Sequence, residues 1–205
     1  MVRILRQLST RAAALLLCAL FRTDGFSQTL TDGDRTMHWE ADALTGLNSE
    51  GWQFDIGAAY FPIPYVGLKA SIGIAEEIEG LADLIRNSVC DYPDYDYYDT
   101  PYYTTRFKFN PAIVLRSPGI LYWHSMDAAF HLFAEPGLVI SPGARGSRNA
   151  RICCWDIKTG INLQVDRFIA FIGYGITDFS LYSGHPRLKN NSITHSGFIG
   201  GTYKF

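Results

Sequence analysis

Charged residues of both signs recur along this 205-residue chain within otherwise apolar segments. Glu40, Asp42, Asp55, Glu135, Asp156 and Asp178 are matched by Lys69, Arg106, Lys108, Arg116, Lys158 and Lys204. If these side chains share an interior they must pair, because an isolated charge out of water is costly. A second concentration of polar chemistry fills 76–103. It combines Glu76, Glu77, Glu79, Asp83, Asp91, Asp94, Asp96 and Asp99 with Tyr92, Tyr95, Tyr97, Tyr98, Tyr102 and Tyr103. Clustered carboxylates suit a divalent cation, but the spacing is not that of an EF-hand loop, and no metal ligand is assigned. Tyrosine offers rigid contact area for a protein or a sugar. Asp91, Tyr92, Asp94, Tyr95, Asp96, Tyr97 and Tyr98 are therefore the candidate interaction residues; the plain alternative is a solvated loop.

Acid–base chemistry is sparse by comparison. His195-Ser196, His124-Ser125 and the pair His131 and Glu135 are the only arrangements that invite it. Neighbours on a strand point to opposite faces, whereas a catalytic pair on one face needs a spacing of two. Position 197 is Gly, so His195 has no nucleophile at that spacing. No phosphate loop, metal-ligand spacing or nucleophile elbow occurs. The expectation is a protein with no catalytic residues and no cofactor.

The elements that hold these groups follow from composition and periodicity. Hydrophobic residues make up 47% and aromatics 14%, too apolar for a disordered chain. Lys+Arg number 18 against 20 for Asp+Glu, with no basic run, which excludes a strongly basic nucleic-acid binder. The start is an export signal: Arg3, Arg6 and Arg11, then the apolar run 12–21, then Gly25-Phe26-Ser27 with small residues flanking a cut after Ser27. That apolar run is half the roughly 20 residues a spanning helix needs. Residues 1–27 are thus read as a signal peptide and 28–205 as one domain, mildly acidic once the leader is gone. Its cysteines are Cys90, Cys153 and Cys154, which allow a bridge from Cys90 to either neighbour or three separate thiols.

Within 28–205, eight segments alternate with period two, as strands with unlike faces do. In the clearest, Trp155, Ile157, Thr159, Ile161, Leu163 and Val165 oppose Asp156, Lys158, Gly160, Asn162, Gln164 and Asp166. Similar patterns run through 37–48, 52–61, 66–75, 105–116, 128–140, 168–181 and 193–205. Pro111 and Pro136 count against two of them, since each removes a ladder donor, and local bulges are expected there. The 168–181 segment is read as ending with Phe179 and Leu181 opposite Asp178 and Ser180.

Alternation alone fits a soluble barrel with apolar side chains inside or a membrane barrel with them outside. Three features favour the second. The segments reach or exceed the 9–11 residues that a tilted strand needs to cross hydrocarbon. The connections 48–51, 76–103, 141–151 and 182–192 lie on one end, while the short turns 62–65 and 165–167 lie on the other together with 117–127, which is longer than this pattern expects. The chain ends Gly201-Thr202-Tyr203-Lys204-Phe205, with Ile199, Tyr203 and Phe205 on one face.

That ending resembles the C-terminal strand by which bacterial outer-membrane barrels are recognised by their assembly machinery. The whole of 28–205 resembles small eight-stranded barrels of the OmpA/OmpX type. Trp52-Gln53-Phe54-Asp55-Ile56-Gly57, Leu132-Phe133-Ala134-Glu135-Pro136-Gly137 and Gly200-Gly201-Thr202-Tyr203-Lys204-Phe205 are similar to outer-membrane β-barrel domains of Bacteroides-like bacteria. The resemblance implies an all-β, eight-stranded antiparallel up-and-down transmembrane barrel in the outer membrane of a Gram-negative cell. It implies contact with outer-membrane lipid and lipopolysaccharide, and Tyr203 and Phe205 as the assembly signal. His195-Ser196 is only superficially similar to the His/Ser pair of lipid A deacylases, given Gly197. With no further domain after Phe205, a cell-wall anchor is not expected. The expected role is structural or surface-interacting, with the charge network filling the lumen and Trp39, Trp52, Tyr60, Trp155, Tyr203 and Phe205 on the lipid side. The alternatives are a narrow porin-like channel and a soluble lipocalin-like barrel binding an apolar ligand.

Overall fold

A computed structural model describes residues 38–78, 105–123, 127–143, 149–184 and 193–205. Residues 1–27, read above as a signal peptide, Cys90, His124-Ser125 and the candidate interaction residues Asp91, Tyr92, Asp94, Tyr95, Asp96, Tyr97 and Tyr98 lie outside them.

The described chain is all strand and connection. The strands are β1 (Trp39–Asn48), β2 (Gly51–Ile63), β3 (Val66–Glu77), β4 (Arg106–Arg116), β5 (Leu121–Trp123), β6 (Ala128–Ile140), β7 (Cys153–Val165), β8 (Phe168–Thr177) and β9 (Thr194–Lys204). All pairings are antiparallel, β9 returns to β1, and β4 pairs with β6, so the eight long strands close into an up-and-down barrel.

The register defines the closure. A line of paired residues leaves Phe130 on β6, passes Leu163, Ala170, Gly201, Ala43, Ile56, Ile72 and Phe109, and re-enters β6 at Ile140. The offset from Phe130 to Ile140 is the shear of the barrel, and it tilts the strands by roughly 40°. The line runs entirely along the outer face. Along it and parallel to it, large apolar side chains stand exposed, among them Leu68 at 61%, Phe107 at 68% and Ile199 at 58%. The alternate positions are buried and mostly polar: Glu40, Gln53, Asp55, Ser71, Lys108, Asn110, Asp156, Lys158, Ser196 and Lys204. In water this distribution would expose far more contiguous apolar surface than a soluble monomer carries.

Four details depart from the alternation pattern. The connection 117–127 contains β5, which pairs with the first residues of β6 and carries the exposed Leu121 and Trp123 beyond the end of β4. The third strand runs on through Glu77, so Glu76 and Glu77 belong to β3 rather than to the following loop. No bulge surrounds the prolines: β4 stays in register with β3 at Pro111, and β6 with β7 at Pro136. Instead, both fall between the recorded pairs of the β4–β6 seam, which are Phe109–Ile140, Ala112–Gly137, Leu115–Ala134 and Arg116–Phe133. The missing N–H groups cost the barrel at one seam rather than distorting the strands. Finally, β8 stops at Thr177, and 178–184 does not continue the ladder.

Candidate functional site

The lumen and its mouth hold nearly all the polar chemistry of the described residues. At the end where β1 begins and β9 finishes, Arg116 on β4 reaches across to Glu40 on β1 in a bidentate pair, both contacts at 2.9 Å. Its guanidinium lies 4.7 Å from the centre of the Phe61 ring, which packs with Ala59 and Val114. Lys204 donates to Gln164 at 2.9 Å beside them. The fork of Arg116 fixes geometry as well as charge across this end of the lumen.

Above it, Lys69 on β3 sits between Asp42 on β1 at 2.8 Å and Glu135 on β6 at 3.2 Å. Lys108 on β4 binds Asp55 Oδ1 on β2 at 3.0 Å and the side-chain oxygen of Gln53 at 3.0 Å, while the Asn110 amide donates to the same Asp55 oxygen at 3.2 Å. Lys158 closes on Asp156, two residues away on the same face of β7, at 2.6 Å. The rest of the waist is aromatic. Phe133, Phe171 and Phe198 pack with Leu44, their ring centres 5.9 to 6.2 Å apart and tilted or edge-on. Glycines make room for two of these rings: a Cβ on Gly200 would come within 2.2 Å of Phe171, and one on Gly173 within 2.5 Å of Phe198.

The mouth, at the end with the long connections, is stoppered by the chain itself. Thr177 and Asp178 terminate β8 by capping β7 with side chains. The Thr177 hydroxyl donates to the Trp155 carbonyl at 2.6 Å, and Asp178 accepts the Trp155 N–H at 2.6 Å. The chain then turns inward and buries Phe179, Ser180, Leu181, Tyr182 and Ser183 against Ala75, Val139 and Cys154. Glu50, 2% exposed, accepts the Ser180 hydroxyl at 2.7 Å and the Leu181 N–H at 2.6 Å. Arg106 donates to the carbonyls of Ser180 at 2.6 Å, Ser141 at 3.1 Å, Pro142 at 3.1 Å and Arg151 at 3.3 Å, and lies over the Phe179 ring. Tyr182 donates to Glu77 at 2.7 Å.

Of the twelve charged residues expected in the lumen from sequence, the strands bring Glu40, Asp42, Asp55, Lys69, Lys108, Arg116, Glu135, Asp156, Lys158 and Lys204 to the inner face. Arg106 is inward too, yet it serves backbone carbonyls at the mouth rather than a lumen carboxylate. Asp178 is not a lumen residue: it stands past the end of β8 and pairs with Arg151. Phe179 and Leu181 are likewise corrected, from a strand face to the interior of the mouth. Glu50 was missed because it sits in a two-residue turn, where alternation gives no orientation.

Tyr203 and Phe205 stack on the outer face, with ring centres 6.5 Å apart. His195 faces outward and Ser196 inward, as adjacency on a strand requires. Cys153 and Cys154 are free thiols, one exposed and one buried. No group of three or more His, Cys, Asp or Glu among the described residues is arranged to hold a metal ion.

These features define a closed β-barrel with an apolar exterior and a filled, ion-paired interior. No protein-family model and no curated protein matches the chain. Among solved structures it is similar to the Neisserial surface protein A (TM-score 0.49, 13% identity, 82% of this chain and 97% of that one). It is also similar to a de novo designed transmembrane β-barrel (TM-score 0.47, 13% identity, 82% and 95%) and to the outer membrane enzyme PagL (TM-score 0.42, 10% identity, 81% and 99%).

Proposed function

We propose that this chain is an integral outer-membrane protein: a sealed barrel that spans the bilayer and presents its long connections at the cell surface. The observation that carries this reading is the inversion of faces. Apolar side chains stand outward on every long strand, while the inner face is filled by ion pairs, an aromatic cluster and the inserted 178–184 segment. A spanning barrel needs an outward apolar band about 25 Å tall, flanked by aromatics. Trp39, Tyr60, Phe168, Tyr203 and Phe205 supply one flank, and Trp52, Trp155 and Tyr174 the other. Outer-membrane lipid and lipopolysaccharide surround that band, and Tyr203 and Phe205 serve assembly.

The role is structural or surface-interacting rather than transporting or catalytic. Narrow barrels of this strand number are filled by side chains, and among the described residues filled positions follow one another from Glu40 to Glu50 with no ring of like charge that would select an ion. Arg106 and Glu50 tie Ser141, Arg151 and 178–184 to β4 and to the β1–β2 turn, which pre-organises this end of the barrel; the acidic, tyrosine-rich 79–104 segment follows β3 in sequence. That segment, with Asp91 to Tyr98, is the proposed contact for an extracellular ligand.

The test is threefold. The protein should fractionate with outer membranes, shift its gel mobility on boiling, and give no stepwise conductance in a planar bilayer. A soluble protein with no heat shift would overturn the membrane reading. Ohmic channels would replace the sealed barrel with a pore.

A further inference from the structure

We infer that His195 and Tyr174 form a binding site for the phosphate of a membrane lipid on the outer surface of the barrel, at the end of the long connections. The inference rests on the reading of that surface as lipid-facing. Polar side chains on a lipid-facing wall are costly unless they have a task or a partner, and intramembrane ionisable groups mark sites by default. On the outward faces of the described strands, Thr45 and Thr159 return their hydroxyls to backbone carbonyls, and Glu76, at the upper end of β3, accepts from Thr105. His195 is different. It is exposed, it stands near the start of β9, and its Nδ1 meets the Tyr174 hydroxyl of β8 at 2.5 Å.

That contact orients the chemistry. A phenol is a better donor than acceptor, so Tyr174 donates to Nδ1 and the imidazole proton is placed on Nε2. The ring therefore offers one N–H to the lipid. The acceptors at this depth of a bilayer are phosphate and ester oxygens, and a charge-assisted bond to phosphate is the stronger. Asp178, a carboxylate near this rim, is already engaged by Arg151 and Trp155. Access is open as well. The next outward residue on β9 is Gly197, which pairs with Tyr174 on one side and Leu47 on the other, and a Cβ built there meets nothing within 4 Å. The glycerol region of a lipid can approach the strand backbone directly beneath the imidazole.

The experiment uses the full chain, refolded in micelles of a non-ionic detergent and checked for the heat shift on gels. Phosphatidic acid is titrated in, bound lipid is counted by native mass spectrometry, and the 15N resonances of the histidines are followed. The expected result is one phosphatidic acid held, with the Nε2 resonance of His195 moving. His195→Ala should bind about tenfold more weakly, the worth of one charge-assisted hydrogen bond. His195→Gln, which keeps a donor, should recover much of the loss, and Tyr174→Phe should fall between. Equal binding by His195→Ala and the parent would overturn the site. So would equal binding of diacylglycerol, which lacks the phosphate. Inorganic phosphate moving the His195 resonance as strongly as the lipid would make this a free-anion site and refute the lipid assignment. Every one of these failures can occur in a protein that still shows the heat shift and membrane location, which separates them from failure of the barrel reading itself.

Discussion

The waist and the mouth of the barrel are both full, but they are filled in different ways. At the waist, strand side chains meet strand side chains: Lys69 with Asp42 and Glu135, Lys108 with Asp55, and Phe133 with Phe171 and Phe198. At the mouth, the strands contribute Arg106 and Glu77, the β1–β2 turn contributes Glu50, and these hold backbone and side chains of the 178–184 segment. The first arrangement ties the closed sheet to itself. The second ties a connection to the sheet. Damage at the waist should therefore reach the whole barrel, while damage at the mouth should free a loop and leave the barrel standing.

The largest effect is expected at Lys108. Replacing it with Met leaves the Asp55 carboxylate buried without its cation, at a cost of about 3–5 kcal/mol. Urea unfolding in micelles, read by loss of the folded gel band, measures this. Pairing Lys108→Met with Asp55→Leu should recover most of the loss, because a buried ion pair exchanged for apolar groups of similar volume is often neutral. A single variant as stable as the parent would show that the waist does not depend on the pair. Next in size is Gly200→Ala, whose added methyl would strike the Phe171 ring and the Ala43 carbonyl, 2.2 and 2.4 Å away. Overpacking of this kind costs about 1–3 kcal/mol. If Gly200→Ala unfolds in urea with the parent's midpoint, the aromatic cluster is looser than its contacts indicate.

Arg106→Met sharpens the contrast between the two regions. It removes donors to Ser141, Pro142, Arg151 and Ser180 at once, yet all four are carbonyls of connections rather than of long strands. The barrel midpoint should move by about 1–3 kcal/mol, the range for leaving buried acceptors unmet. Proteolysis within 141–151 and 178–192 should accelerate far more than global unfolding does. Equal acceleration everywhere would mean that mouth and waist unfold as one unit.

The same contrast explains what could be read from the sequence. The inner face of each strand was legible because a strand has a fixed period: once Asp156 is inward, Lys158 must be, and the outward set from Trp155 to Val165 follows. Closure of the barrel was legible from the number of strands and the grouping of long connections. The partners were not. Nothing in the period says that Lys69 takes Asp42 and Glu135 while Lys108 takes Asp55, because that depends on the stagger, which only the pairing of β4 with β6 fixes. The mouth was misread for a related reason. Asp178 to Leu181 alternates as a strand does, but Thr177 and Asp178 satisfy the edge of β7 with side chains, and the ladder ends where the alternation does not. Glu50 and Arg106 acquire their roles only when that segment arrives.

Ser180 tests how the segment is seated. Its hydroxyl reaches Glu50, its carbonyl takes Arg106, and the N–H of the next residue also reaches Glu50. Ser180→Ala removes the first of these, together with the acceptor that the hydroxyl gives the Tyr182 N–H at 3.2 Å, and leaves the other two, which are made by backbone. Glu50 keeps one donor in reach, so it is not stranded as a bare buried charge, and the cost should be about 1 kcal/mol. Leu181→Pro instead deletes the N–H that Glu50 accepts and keeps the hydroxyl. If backbone seating dominates, limited proteolysis of 178–192 should be nearly unchanged in Ser180→Ala and greatly enhanced in Leu181→Pro, with the barrel intact in both. The reverse order would assign the seat to the serine side chain, and the identity of residue 180 would then govern the mouth.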